Sequence, residues 1–163
     1  MISLRTLSVL TAVLIGVWGV AADAQTAKPA TAAPAIVFVC EHGAAKSVIA
    51  TAYFNKLAAE RGLPYRAEFR GTDPQEALSV RAVAGLKADG VAIPPGAPTA
   101  IGAADITRAT HIFAIGCTLP AGAASSGKAK DWSDVPDDKG YEGQRDAIVR
   151  HVKELLDELQ RGK

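Results

Sequence analysis

Residues 35–50, Ala-Ile-Val-Phe-Val-Cys-Glu-His-Gly-Ala-Ala-Lys-Ser-Val-Ile-Ala, read in three pieces. Residues 36–39 form a continuous β-branched and aromatic run, the pattern of a strand buried on both faces. Residues 40–46 are a tight turn of small and polar side chains. From Ser47 to about Arg61 the apolar positions Ile49, Ala50, Tyr53, Phe54 and Leu57 recur at helical spacing. A strand that runs through a small-residue loop into a helix builds an anion site. The first amides of the helix have no partners within it, and its dipole puts partial positive charge there. Cys40 stands at the strand end where those amides converge, and the same field favours the nucleophilic thiolate. Lys46 adds a cation, unfavourably placed at a helix N-terminus unless an anion is bound, and Ser47 adds a hydroxyl.

The rest of the chain alternates in the same manner. Gly62 and Pro64 end the first helix, and residues 65–70 read as a strand with Tyr65, Ala67 and Phe69 on one side. Residues 71–74, Gly-Thr-Asp-Pro, form a turn. A second helix is expected over 78–89, with Val80, Val83, Ala84 and Leu86 along its buried face and Gly90 at its end. After a proline-rich connection, a short helix is expected over 101–107 and a strand over 111–115, ending at Gly116-Cys117. A stretch rich in Gly, Ala and Ser then leads to Lys130, and its length suggests a functional loop over a site. The last helix is expected over 141–160, with Ile148, Val152, Leu155, Leu156 and Leu159 as its buried stripe. Strands alternating with helices point to βαβ units and a parallel sheet.

Cys-x5-Lys-Ser directly after a hydrophobic strand resembles the signature of the low-molecular-weight tyrosine phosphatases, a family that includes the thiol-dependent arsenate reductases. That signature is Cys-x5-Arg-Ser, so Lys46 replaces its arginine, and Gly43 stands where asparagine is usual. Gly71-Thr72, the second helix, Asp105, the strand ending at Cys117, the segment from Trp132 to Asp137 and the last helix follow in the family's order. The tryptophan segment is most similar to the arsenate-reductase branch, although Asp138 stands where that branch has proline. The resemblance implies an α/β fold with a four-stranded parallel sheet, helices on both faces and a phosphate-binding loop after the first strand.

It also implies a chemistry. Cys40 is the nucleophile, the amides of Glu41, His42, Gly43, Ala44, Ala45 and Lys46 cradle the phosphoryl oxygens, Ser47 donates to the thiolate, and Asp137 is the general acid, with Asp134 and Asp138 as alternatives. The reaction is phosphoester hydrolysis through a phosphocysteine, with phosphotyrosine among the substrates. Two other outcomes stay open: an arsenate reductase relative using Cys40 and Cys117, and an oxyanion-binding module without catalysis. Thioredoxin-linked arsenate reductases place a second cysteine where Cys117 lies and a third where this chain has Ala124, so that full relay is missing. The residues also admit plainer roles. Cys40 and Cys117 would serve as small core residues, Asp137 as a helix cap, His42 as a loop residue and Trp132 as a packing residue.

Arg5, the apolar run over 7–20 and Ala22-Asp23-Ala24 have the layout of a cleaved signal peptide over 1–24. Residues 25–34, rich in Ala, Thr and Pro, read as a flexible leader, and 35–163 as the domain. The expected location is periplasmic or secreted, with no membrane attachment after cleavage. A formal net charge of +1 and no basic stripe with interleaved aromatics argue against nucleic acid. No cofactor or metal is called for. The expected partners are phosphate, arsenate or a phosphoester, plus a thiol reductant if the cysteines work as a redox pair. Two cysteines in 163 residues are not a disulfide scaffold.

Overall fold

The computed structural model describes residues 35–162, so the expected signal peptide and leader lie outside the described residues. Four strands, β1 (Ala35–Cys40), β2 (Arg66–Gly71), β3 (Ala109–Ala114) and β4 (Ala129–Asp131), form one sheet in the order β2-β1-β3-β4. Every strand pair is parallel. The helices are α1 (Lys46–Glu60), α2 (Val80–Ala88), α3 (Ala103–Arg108), α4 (Ala121–Ala124) and α5 (Gly140–Arg161).

β1 lies between β2 and β3 and is buried at all six positions, which is why its sequence runs apolar without alternation. Ile36, Phe38 and Cys40 face the larger core with α1 and α5, while Val37 and Val39 face a smaller core with Ile112 and Ala123. Phe38 is fully buried, with ring centres 5.9 Å from Phe54, 5.4 Å from Phe113 and 5.3 Å from Trp132. Removing one such ring from water is worth about 1.5–3 kcal/mol. Trp132 also stacks on His151 of α5 at 4.8 Å, so it fastens the segment after β4 to the last helix. The stripe expected on α5 is buried at Ile148, Val152, Leu155, Leu156 and Leu159. Among the described residues, no helix is long and apolar enough to cross a membrane.

Three local expectations need correction. α2 buries Ala82 and Leu86, whereas Val80 is 84% exposed and Ala84 is also exposed. Ala82 and Leu86, four residues apart, form the buried stripe, and the Ser79 N-cap, which accepts from the Ala82 amide, leaves Val80 as the first residue of the helix. The small-residue stretch after Cys117 is not a loop throughout. It folds as the short α4 and then supplies β4, an edge strand with no apolar run in its Ala-Lys-Asp sequence to announce it. The strand expected over 111–115 begins earlier, at Ala109, because Ala109 and His111 pair with Ala35 and Ile36, with Thr110 skipped at a register shift and its hydroxyl donating to the Ala35 carbonyl.

Candidate active site

β1 delivers Cys40 to the carboxyl end of the sheet, where an open parallel sheet favours ligands. The next five residues turn without regular structure and α1 starts at Lys46. The N-cap position of α1 is Ala45, which offers no side-chain acceptor, so the helix enters the loop uncapped.

A neighbouring segment holds the loop by its carbonyl groups. The amides of Thr72 and Asp73 donate to the Glu41 carbonyl at 2.9 and 2.8 Å, Gln75 N to His42 O at 3.2 Å, and Ser79 N to Ala44 O at 2.9 Å. The amides of residues 41–46 donate to no carbonyl in any loop or turn contact among the described residues. Carbonyls tied outward and amides left without partners are what an anion cradle requires.

Gly43 makes this path possible. Its φ is +62°, and a Cβ there would come within 2.8 Å of the Gly71 amide nitrogen. Glycine meets both demands; asparagine, usual at this place in the family the loop resembles, would tolerate the positive φ but not the contact.

The thiol of Cys40 is 4% exposed and lies 3.1 Å from the Ser47 hydroxyl, itself fully buried. Lys46, in the first turn of α1, is turned away from solvent. It is 8% exposed, and its ammonium donates to Asp137 Oδ1 at 2.6 Å. This pair joins the start of α1 to the segment before α5. A cavity of about 430 Å³ opens above the loop. Its floor includes Cys40, Ala44, Ala45 and Lys46, and its rim includes Glu41, His42, Gln75, Ser79, Asp137 and Gln144. His42 donates its Nδ1 proton to the Asp73 carbonyl at 3.2 Å, which holds the ring to the neighbouring segment.

Of the three carboxylates considered for the general acid, Asp137 alone lines this cavity. Asp134 is taken up by His151, at 2.7 Å, and by Arg150, at 3.1 Å. Burial pushes the Asp134 carboxyl up, but the His151 hydrogen bond and charge outweigh it and hold the group below the usual carboxylate range. Asp138 is exposed and approaches only Lys139, at 3.9 Å.

Gly43 and Ser47, expected among the binding residues, do not line the cavity: Gly43 shapes the loop and Ser47 supports Cys40 from behind. Gly116, Gln75, Ser79 and Gln144 line it and were not anticipated. A Cβ on Gly116 would come within 2.6 Å of Lys46 Nζ, so the absent side chain is the seat of the ammonium. β3 pairs with β1, so the loop leaving β3 lies beside the loop leaving β1; that rule for parallel sheets would have found Gly116. The two glutamines carry no such signal.

Cys117 lies on the far side of Gly116, half-buried, with its Sγ donating weakly to the Val39 carbonyl at 3.5 Å. Burial, and after it the electrostatic influence of the neighbouring Cys40, push its thiol up to about 11. Both cysteines are free. Among the described residues, no group of His, Cys, Asp and Glu is placed to hold a metal ion.

No protein-family model matches the chain, and no curated protein matches it in sequence. Solved structures match it in fold. A protein tyrosine phosphatase from Entamoeba histolytica gives a TM-score of 0.67 at 21% identity, covering 80% of this chain and 97% of that one. A low-molecular-weight protein tyrosine phosphatase from Bacillus subtilis gives 0.68 at 18% identity, over 78% of this chain and 97% of that one. The thioredoxin-dependent arsenate reductase of Corynebacterium glutamicum gives 0.66 at 22% identity, over 82% of this chain and 65% of that one. At these identities the likeness is one of architecture: residues 35–162 carry the fold that low-molecular-weight tyrosine phosphatases share with a thiol-dependent arsenate reductase.

Proposed function

We propose that this protein is a phosphatase-like hydrolase acting on phosphoesters through Cys40, with Lys46 in the role that arginine takes in the family it resembles. The observation that carries the proposal is the buried Cys40 thiol, 3.1 Å from Ser47, at the floor of a cavity ringed by unpartnered amides. Cys40 Sγ, its proton released to solvent, attacks phosphorus as the bond to the leaving oxygen breaks, giving a phosphocysteine. Asp137, which takes up a proton from solvent once Lys46 has turned away, supplies that proton to the leaving oxygen. Water then attacks phosphorus, Asp137 takes up its proton, the S–P bond breaks and phosphate leaves. Lys46 and the amides of residues 41–46 offset charge on the equatorial oxygens. For the first step Lys46 must turn from Asp137 toward the anion, which also frees the carboxyl group for proton transfer.

The redox alternative asks the Cys117 thiolate to attack the sulfur of an arsenylated Cys40, so that the S–S bond forms as the S–As bond breaks and the arsenic leaves reduced as arsenite. A thiol pushed up to about 11 works against that at neutral pH. The test is turnover of 4-nitrophenyl phosphate by the protein beside Cys40→Ser and Lys46→Arg. Turnover lost in Cys40→Ser supports the hydrolase. If wild type and Lys46→Arg are both inert while phosphate still binds, the oxyanion-binding module replaces it. We also propose an extracytoplasmic location, on the sequence of residues 1–24 alone; an intact Met1 in cytosolic protein by mass spectrometry would overturn this.

A further inference from the structure

The rim of the cavity differs in chemistry from its floor. Its side chains are Glu41, His42, Gln75, Ser79, Asp137 and Gln144, all polar and none with a phenyl or indole ring. The large rings of this half of the fold are engaged elsewhere. Trp132 is packed between Phe113 and His151, and the Tyr53 and Tyr141 hydroxyls both donate to Asp89 at 2.6 Å. A phenol ring leaving the floor would meet amides and carboxylates. It would gain neither stacking nor apolar burial, and it would strip water from groups that it cannot hydrogen-bond.

Charge at the rim adds a second constraint. Lys46 and Asp137 form a 2.6 Å pair, and when Lys46 turns to the anion an Asp137 that carries the transferable proton adds no charge to the rim. Glu41 is exposed, lines the cavity and makes no ion pair among the described residues, leaving the rim with an excess of negative charge. A phosphate dianion bound below must bear that carboxylate, unless its own leaving group carries a compensating cation. Gln75 and Gln144 donate their side-chain nitrogens to the Ala77 carbonyl at 2.7 Å and the Asp137 carbonyl at 3.5 Å, and each also carries an amide oxygen able to accept from an ammonium group.

We propose that this pocket takes the phosphomonoester of a small, ammonium-bearing aliphatic alcohol in preference to phosphotyrosine, with Glu41 as the residue that selects the cation. The inference rests on the phosphoryl-binding role proposed above for the same pocket. It also fits the need for Asp137, because an aliphatic alkoxide is a poor leaving group and departs only with a proton.

Non-hydrolysable phosphonates separate recognition from chemistry. Inorganic phosphate, 2-aminoethylphosphonate and benzylphosphonate are titrated into the protein by calorimetry at low and moderate salt. The aminoethyl compound is expected to bind about two- to fivefold tighter than the benzyl compound, the size of one exposed charge pair. The preference should shrink with added salt, and Glu41→Gln should remove it. Tighter binding of benzylphosphonate, or an unchanged ratio in Glu41→Gln, overturns the proposal while leaving the pocket intact. Failure of all three ligands, phosphate included, overturns the pocket itself and the specificity with it.

Discussion

Cys40 and Cys117 leave the carboxyl ends of two strands that pair directly with each other, and each loop contains a glycine at φ +62°. From there they diverge. Cys40 is followed by a turn whose carbonyls are held by residues 72–79 and then by the 15-residue α1, so unpartnered amides and an uncapped helix end surround the thiol. Cys117 is followed by Thr118, Leu119 and Pro120 and a four-residue α4. Its sulfur faces the carbonyl of Val39, an acceptor that gives a thiolate nothing, and burial holds the proton on. A cysteine at a strand end therefore becomes a candidate nucleophile through what the following loop does with its backbone, not through its position in the sheet.

The sharpest way to break this contrast is substitution of each cysteine. Cys40→Ser is expected to lower turnover on the order of 10⁴-fold or more, whereas Cys117→Ser should stay within about twofold of wild type. Iodoacetamide labelling gives the same contrast without substrate. Only about one Cys117 in a thousand is thiolate at pH 8 if its thiol titrates near 11, so Cys40 should react first and bound phosphate should protect it. Equal losses of turnover from the two variants would mean that the thiols act as a redox pair.

The next effect concerns the carboxylates. Asp137→Asn should cost about 10²–10⁴-fold in turnover, most for substrates with poor leaving groups. Asp134→Asn should spare turnover and alter acid stability instead. The folded-state affinity of Asp134 for its proton is depressed by His151, so the stabilisation is present at neutral pH and disappears as pH falls through its folded-state titration, below the ordinary carboxylate range. Thermal melts between neutral and acid pH should thus show a smaller acid loss for Asp134→Asn than for wild type. Turnover lost in Asp134→Asn with Asp137→Asn unaffected would exchange the two roles.

Much of this was legible in the chain. Residues 36–39 read as a doubly buried strand because they are one, and the stripe on α5 is written at helical spacing through Leu159. The loop at Cys40 was legible because strand, small-residue turn and helix follow without interruption. What escaped depends on contacts between distant segments. β4 has three residues and its pairing with β3 is what makes it a strand. The face of α2 escaped because the core takes the small Ala82 with Leu86 rather than the larger Val80. Lys46 was expected on an anion, and its pairing with Asp137 joins the start of α1 to the distant segment between β4 and α5, with Gly116 leaving room for the ammonium.

Lys46→Arg sharpens the contrast further. A lysine places one charge on a flexible stem, while arginine holds two oxygens with a planar fork. Losing one well-placed transition-state donor typically costs about 2.7–4 kcal/mol, or on the order of a hundredfold in rate. Restoring the fork should raise turnover by about that factor with little change in KM, since ground-state binding already sees a positive charge. A large fall in KM with unchanged kcat would place the effect of the residue in binding alone.

The smallest expected effect comes from the two glycines. Alanine at either position meets a positive φ, which costs about 1–2 kcal/mol. At Gly43 the added carbon also meets the Gly71 backbone at 2.8 Å, and Gly71 cannot retreat without giving up its 2.9 Å bond to the Thr99 carbonyl. Gly43→Ala should therefore destabilise the fold by more than the φ strain alone and loosen the whole loop over residues 40–46. At Gly116 the contact is with Lys46 Nζ at 2.6 Å, the far end of a flexible side chain that can move aside. Gly116→Ala should lose only the strain, about 1 kcal/mol, and its distinctive mark should be functional: a displaced ammonium, weaker phosphate binding and a broken Lys46–Asp137 pair. Thermal melts and phosphate titrations of the two variants, run side by side, separate these outcomes. If Gly116→Ala melts lower but binds phosphate as wild type does, the glycine is only a turn residue and Lys46 does not depend on its seat.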